Sequence, residues 1–175
     1  MSDVRKLLET IEFSAERHRN QRRKDAQASP YINHPIALAT LLAATGGVED
    51  LIVLQAAILH DTVEDTETTN QELIDRFGKA VAGVVAEVTD DKALPKAKRK
   101  EIQVEHALHT SSEAALVKIA DKICNLRDMV NAPPADWPQQ RRRDYFDWAK
   151  KVVKNLPTTN SGLMVAFDEI YLQRP

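Results

Sequence analysis

His34, His60, Asp61 and Asp121 together offer two imidazoles and two carboxylates, with no thiolate among them. Such a set suits a borderline-to-hard divalent ion that takes more than four ligands and keeps water, such as Mn²⁺ or Fe²⁺. A closed structural zinc site favours cysteine and histidine, and this chain has one cysteine. His60 and Asp61 are followed by Glu64 and Asp65, so four ionisable groups fall within six residues. Just before them runs Leu51 to Leu59, apolar except for Gln55 and free of Gly and Pro. A rod of that kind is buried on most sides. Ending it in imidazole and carboxylate is costly unless a cation or partner compensates. If the helix continues through its acidic end, His60 and Glu64 share one face and Asp61 and Asp65 another. Spacing alone leaves two readings level: a metal site, or a bundle whose histidines and aspartates satisfy each other in the core.

Three helices or helix ends must bring these groups together. His34 closes a loop over residues 28–35 that holds two prolines. Pro35 suits the first position of a helix, leaving His34 at or beside the N-cap. That helix covers Ile36 to Thr45 and ends at Gly46-Gly47. Alone, a histidine there reads as a surface or capping residue; beside other donors it is well placed as a ligand. The central helix starts at Glu49 or Asp50. Asp121 falls in a helix predicted over Ser112 to Val130, opened by a capping-box match at Thr110 and Glu113. Leu116, Ile119, Ala120, Ile123 and Leu126 form its core stripe, and Asp121, Asn125 and Asp128 the stripe beside it.

The remaining periodicity predicts helices over 3–20, 70–77, 79–88, 96–108 and 139–156, and a last one ending near Leu172. The first carries Val4, Leu7, Leu8, Ile11 and Ala15 as its apolar positions. Thr69 and Glu72 match a capping box, and Thr158 or Thr159 can cap the last helix. His106 and His109 read as structural or exposed. All eight prolines lie outside the apolar-periodic runs, and nothing reads as a strand. The expectation is an all-α protein, one domain over residues 1–175, built as a bundle of about eight or more helices.

The net charge of −2 gives no electrostatic case for nucleic acid or a membrane surface. No apolar run nears the ~20 residues of a membrane-spanning helix. The first residues lack a signal-peptide core, so a cytoplasmic location is expected. Two basic clusters remain, Arg17 to Lys24 and Lys96 to Lys100. Each is either a solvated face or an anion-binding rim, and the second reading gains weight only if the site takes an anion.

Tyr31-Ile32-Asn33-His34-Pro35, then His60-Asp61-Thr62-Val63-Glu64-Asp65, then Asp121 within Lys118 to Arg127, resemble the H…HD…D signature of the HD-domain phosphohydrolases. Arg22 to Asp25, Val88 to Lys92, Leu94-Pro95-Lys96 and Tyr145 to Ala149 extend the resemblance over nearly the whole chain. With them it is similar to the hydrolase domain of bifunctional alarmone synthetase/hydrolases. More closely still it is similar to small stand-alone alarmone hydrolases of the metazoan SpoT-homolog type, and no synthetase domain is expected.

The resemblance implies a Mn²⁺-dependent 3′-pyrophosphohydrolase acting on a small-molecule substrate, guanosine tetra- or pentaphosphate, to give GDP or GTP and pyrophosphate. It implies one Mn²⁺ on His34, His60, Asp61 and Asp121, with Fe²⁺ or another divalent ion as substitute. It puts Glu64 and Asp65 where the attacking water is positioned and its proton moved. It implies nucleotide contacts at Arg23 and Lys24, a ribose contact at Asn125, and further substrate contacts at Lys96, Arg141 and Tyr145. The general chemistry agrees: a divalent ion acidifies water and polarises a phosphoryl oxygen, and a nearby carboxylate can take the proton. Arg and Lys are natural counter-charges for a polyanion. Ala26, Ala28 and Cys124 depart from the family pattern at packing positions and leave every ligand in place. Two alternatives stay open: an HD-family phosphatase on a related nucleotide such as NADPH, or a non-catalytic alarmone-binding module. The intact Glu64-Asp65 pair speaks against the module.

Overall fold

The computed structural model describes residues 2–157 and 160–175. Among the described residues ten α-helices follow one another: α1 (Asp3–Arg17), α2 (Asn33–Ala44), α3 (Leu51–Leu59), α4 (Thr62–Asp65), α5 (Asn70–Phe77), α6 (Lys79–Val88), α7 (Lys96–His106), α8 (Ser112–Asn131), α9 (Gln139–Asn155) and α10 (Ser161–Tyr171). A 3-10 turn, Ala107–His109, ends α7. Among the described residues the only extended pairing is an isolated bridge between Arg22 and Pro30. No helix among them is long and apolar enough to cross a membrane.

α3 is the axis of the bundle, packed against α1, α2, α6 and α8. Val53 and Gln55 to Leu59 are all buried. Its polar residue is satisfied inside the core, since Gln55 Nε2 donates to Thr10 Oγ1 at 2.8 Å. Ser14 Oγ donates to Ile58 O at 2.8 Å, so two hydrogen bonds fix α1 against α3 where unpaired polar groups would be costly. Those bonds also set the roll of α1. Thr10, Phe13 and Ser14 face inward, while Val4 and Leu8, expected at the apolar face, are 70% and 60% exposed. α8 packs on α2, α3, α6, α9 and α10, burying Ile119, Ala120, Ile123 and Leu126 as expected, with Leu116 partly buried. Phe146 of α9 is fully buried, and truncating such a side chain typically costs about 3–5 kcal/mol. Gly162 starts α10 against the turn after α2; a Cβ there would meet Thr45 O at 2.3 Å.

Several boundaries differ from expectation. α1 stops at Arg17, where His18 takes the C-cap with φ −93° and ψ 7° and its ring is buried. α2 starts at Asn33, so His34 lies inside the first turn and not at the cap. Pro35 is tolerated there, since first-turn N–H groups have no partner within the helix. Ser111, not Thr110, caps α8, its side chain accepting from Ala114 N. Thr69 caps α5 as expected. Thr158 and Thr159 lie outside the described residues; Asn160 is the N-cap of α10.

Candidate metal centre

The central helix does not run on through its acidic end. α3 stops at Leu59, Asp61 has φ −100° and ψ −1°, and α4 restarts at Thr62. Thr62 Oγ1 donates to Leu59 O at 2.7 Å across the break. In an unbroken helix, neighbouring side chains diverge. The break lets His60 and Asp61 point to the same place, with His60 Nε2 2.8 Å from Asp61 Oδ2. His34 arrives from the first turn of α2 and Asp121 from the middle of α8. The donor atoms of His34, His60 and Asp121 all lie within 4.8 Å of one another. Donors about 2.0–2.2 Å from a common ion can be no more than ~4.4 Å apart, so a small contraction would close the set.

The orientation of the His60 imidazole fits a cation. His60 Nδ1 faces Ala57 O at 2.8 Å. Donation to that carbonyl leaves the Nε2 lone pair directed at the carboxylates, as in metal-ligating histidines. His60 Nε2 is buried and has no hydrogen-bond partner among the described residues. Its short approach to Asp61 is thus not aligned as a hydrogen bond. His34 Nε2 is 3.1 Å from Asp121 Oδ1, and His60 Nε2 is 3.8 Å from the same oxygen. Asp61 stands beside the three-residue cluster, its Oδ2 also accepting from the Tyr31 hydroxyl. Asp121 Oδ1 accepts from Asn125 Nδ2 at 2.7 Å, and its Oδ2 from Lys122 Nζ at 3.0 Å.

The electrostatics favour positive charge between the two carboxylates. Burial is the largest influence on His60 and pushes it down, but Asp61 and Asp121 prevail and carry it up to about 9. Burial would likewise raise the two aspartates. His60 and His34 instead hold Asp61 far below its usual range, and Lys122 and the same imidazoles do so for Asp121. A divalent cation bound to neutral imidazoles would supply that charge without protonating the ligands. The donor set and the orphaned nitrogen therefore fit a divalent metal.

A cavity of about 330 Å³ holds these groups, with Glu64 and Asp65 in its wall. Glu64 Oε2 accepts from the Asp90 N–H at 3.1 Å, and Oε1 is 3.5 Å from Arg99. Burial raises the Glu64 carboxyl above 4.5, and the charges of Asp61, Asp90 and Asp65 add to it against the Asp90 N–H. Asp65 accepts from Gln21 Nε2 at 2.8 Å and from Lys92. A second cavity, about 770 Å³, takes Arg23, Lys24, Lys96, Asn125 and Tyr145 into its lining. Lys24, Tyr31, His34, Asp65, Asn125 and Tyr145 border both cavities. Arg23 is paired with Asp128 and bonded to Asn125 Oδ1 at 3.2 Å. Arg141 lines neither cavity; its guanidinium sits 4.0 Å from the ring centre of Trp137, which does line the larger one.

Some participants were not singled out from the sequence. His18 is buried and passes through Gln21 to Asp65, with His18 Nδ1 2.6 Å from Gln21 Oε1. Its signal was Thr10, Ser14 and His18, a polar stripe at steps of four. The loop carrying Arg23 is held by Arg23 N donating to Ser29 O and Tyr31 N to Gln21 O, backbone pairing with no composition signal. Lys118 and Lys122 also enter the smaller cavity; their signal was two lysines four apart flanking an inward aspartate.

A helical bundle gathering two histidines and two aspartates beside a basic cleft has the build of an HD-domain hydrolase, and a family model described as "HD domain" matches residues 10–147. The chain is 54% identical over 168 residues to "Guanosine-3′,5′-bis(diphosphate) 3′-pyrophosphohydrolase MESH1" of Danio rerio, covering 96% of this chain and 93% of that one. It is 51% identical over 173 residues to the Homo sapiens protein of the same name, covering 99% and 97%. A solved structure superposes with TM-score 0.93 at 48% identity over 97% of this chain and 95% of the other; its description reads "A metazoan ortholog of SpoT hydrolyzes ppGpp and plays a role in starvation responses". The chain belongs to the HD-domain family and, within it, groups with the MESH1 proteins.

Proposed function

We propose that this protein is a metal-dependent guanosine-3′,5′-bis(diphosphate) 3′-pyrophosphohydrolase, converting (p)ppGpp to GDP or GTP and pyrophosphate. The observation that carries this reading is the convergence of His34, His60 and Asp121 on one point beside a cleft lined by Arg23, Lys24 and Lys96. The names of its relatives support the same substrate.

In this reading His34, His60, Asp61 and Asp121 would hold one Mn²⁺, and Tyr31, Asn125 and Lys122 orient the carboxylates. When bound, the ion polarises a phosphoryl oxygen and acidifies water. Glu64 accepts a proton from the attacking water, its own affinity for that proton raised by burial. The water oxygen bonds to the phosphorus carried on the ribose 3′ oxygen, the O3′–P bond breaks, and the proton taken up by Glu64 passes to O3′ as the nucleotide leaves. Asp65, bonded to Gln21 and Lys92, orients the water. Arg23 and Lys24 meet the nucleotide, Asn125 the ribose, and Lys96 and Tyr145 the rest of the polyanion. Arg141 acts through the Trp137 wall.

The test is incubation of purified protein with ppGpp and with NADPH in Mn²⁺, the products resolved by ion exchange. Pyrophosphate and GDP are expected from ppGpp. Orthophosphate from NADPH alone would move the assignment to a phosphatase. Binding of ppGpp without turnover in saturating Mn²⁺ would leave only a binding module.

A further inference from the structure

The smaller cavity contains a cation to which nothing above assigns a role. Lys118 lies in α8 and lines the cavity that holds the metal-site residues. Among the described residues its amine has no hydrogen-bond or ion-pair partner. Its neighbours are engaged: Lys122 Nζ is 3.0 Å from Asp121 Oδ2 and 4.5 Å from the Trp148 ring centre. The charges of Asp90, Asp121 and Glu87 act on Lys118 from a distance, and none of the three pairs with it: Asp90 accepts from Gln103 Nε2 at 2.9 and 2.7 Å. A half-buried ammonium with no partner is costly unless a ligand arrives to meet it. Burial and the charge of Lys122 push the Lys118 amine down to about 8, so it is still largely protonated at neutral pH and would gain from an anion.

Position says which anion. Lys118, Asp121, Asn125 and Asp128 are spaced three, four and three apart, one stripe along α8. At 1.5 Å per residue, Lys118 stands ~4.5 Å along the axis from Asp121, on the side away from Asn125. The stripe thus runs from the nucleotide cleft, past the metal site, to Lys118. A substrate laid along it with its ribose at Asn125 and its proximal 3′ phosphate at the metal residues carries its terminal 3′ phosphate to the Lys118 end.

We infer that Lys118 binds the terminal phosphate of the 3′-diphosphate, and so makes the site select a 3′-diphosphate over a 3′-monophosphate. The inference rests on the hydrolase reading. It is tested with Lys118→Met and Lys118→Arg, assayed on ppGpp and for competitive inhibition by guanosine 5′-diphosphate 3′-monophosphate, which lacks the terminal group. Loss of a charged hydrogen bond predicts a fall of about 10- to 100-fold in kcat/KM for ppGpp in Lys118→Met. The inhibition constant of the monophosphate and the Mn²⁺ stoichiometry should stay unchanged, and Lys118→Arg should recover part of the loss. Equal weakening towards both nucleotides, or no loss on ppGpp, would overturn the assignment. If Lys118→Met does not fold, Lys118→Gln carries the same comparison. A wild-type protein that releases no pyrophosphate would sink the hydrolase reading instead.

Discussion

The two cavities are built on opposite principles. At the metal end the histidines are nearly inaccessible, His34 4% and His60 5% exposed, and the carboxylates are fixed by Tyr31, Asn125 and Lys122. That end is pre-organised, so little rearrangement is needed before chemistry. The nucleotide end is more than twice as large, and its cations rest on other groups: Arg23 on Asp128, Lys96 over Trp137. On the proposed reading, substrate would there exchange one partner for another, which would lower the net gain. On that reading, the contrast separates a region that would set rate from a region that would set affinity.

Removing a buried ligand should break the first region most severely. His60→Ala and Asp121→Ala should each lose bound metal and turnover together, beyond the about 10- to 100-fold typical of an outer-shell partner. Metal analysis alongside a rate assay checks it, and metal retained at full stoichiometry would remove either residue from the ligand set. Next comes the proton acceptor. Glu64→Gln should keep its metal and lose about 10²- to 10⁴-fold in kcat. If Glu64 acts as proposed, it acts when ionised, and its pKa is raised above 4.5 by burial, so the wild-type rate should rise with pH through a limb above that value. The variant should lack this limb. Metal lost from Glu64→Gln would instead make it a ligand. The smallest effects belong to the nucleotide end. Asp128 is half-exposed, its side chain 51% accessible against 19% for Arg23, and solvent on the aspartate side keeps such a pair weak. Freeing Arg23 with Asp128→Asn should therefore lower KM only about two- to fivefold, with kcat unchanged. A kcat effect of the same size would erase the division between the two ends.

Most helices were legible from the chain because apolar spacing and cap residues are local properties. The Leu51–Leu59 run, the Thr69 cap and the α8 core stripe needed no knowledge of what packs against them. The set His34, His60 and Asp121 was readable as a list of donors suited to a divalent ion, and family motifs joined them. Their meeting was not readable. It depends on a helix break at Asp61, on His34 entering the first turn of α2, and on α8 crossing both α2 and α3. The roll of α1 was likewise hidden, since Thr10 and Ser14 win over Val4 and Leu8 only when Gln55 and Ile58 O stand opposite. The free amine of Lys118 was equally invisible, because having no partner is a property of the whole surroundings. Residue order sets which donors exist and which segments coil; burial and pairing between distant segments decide which of them face one point and which are left unsatisfied.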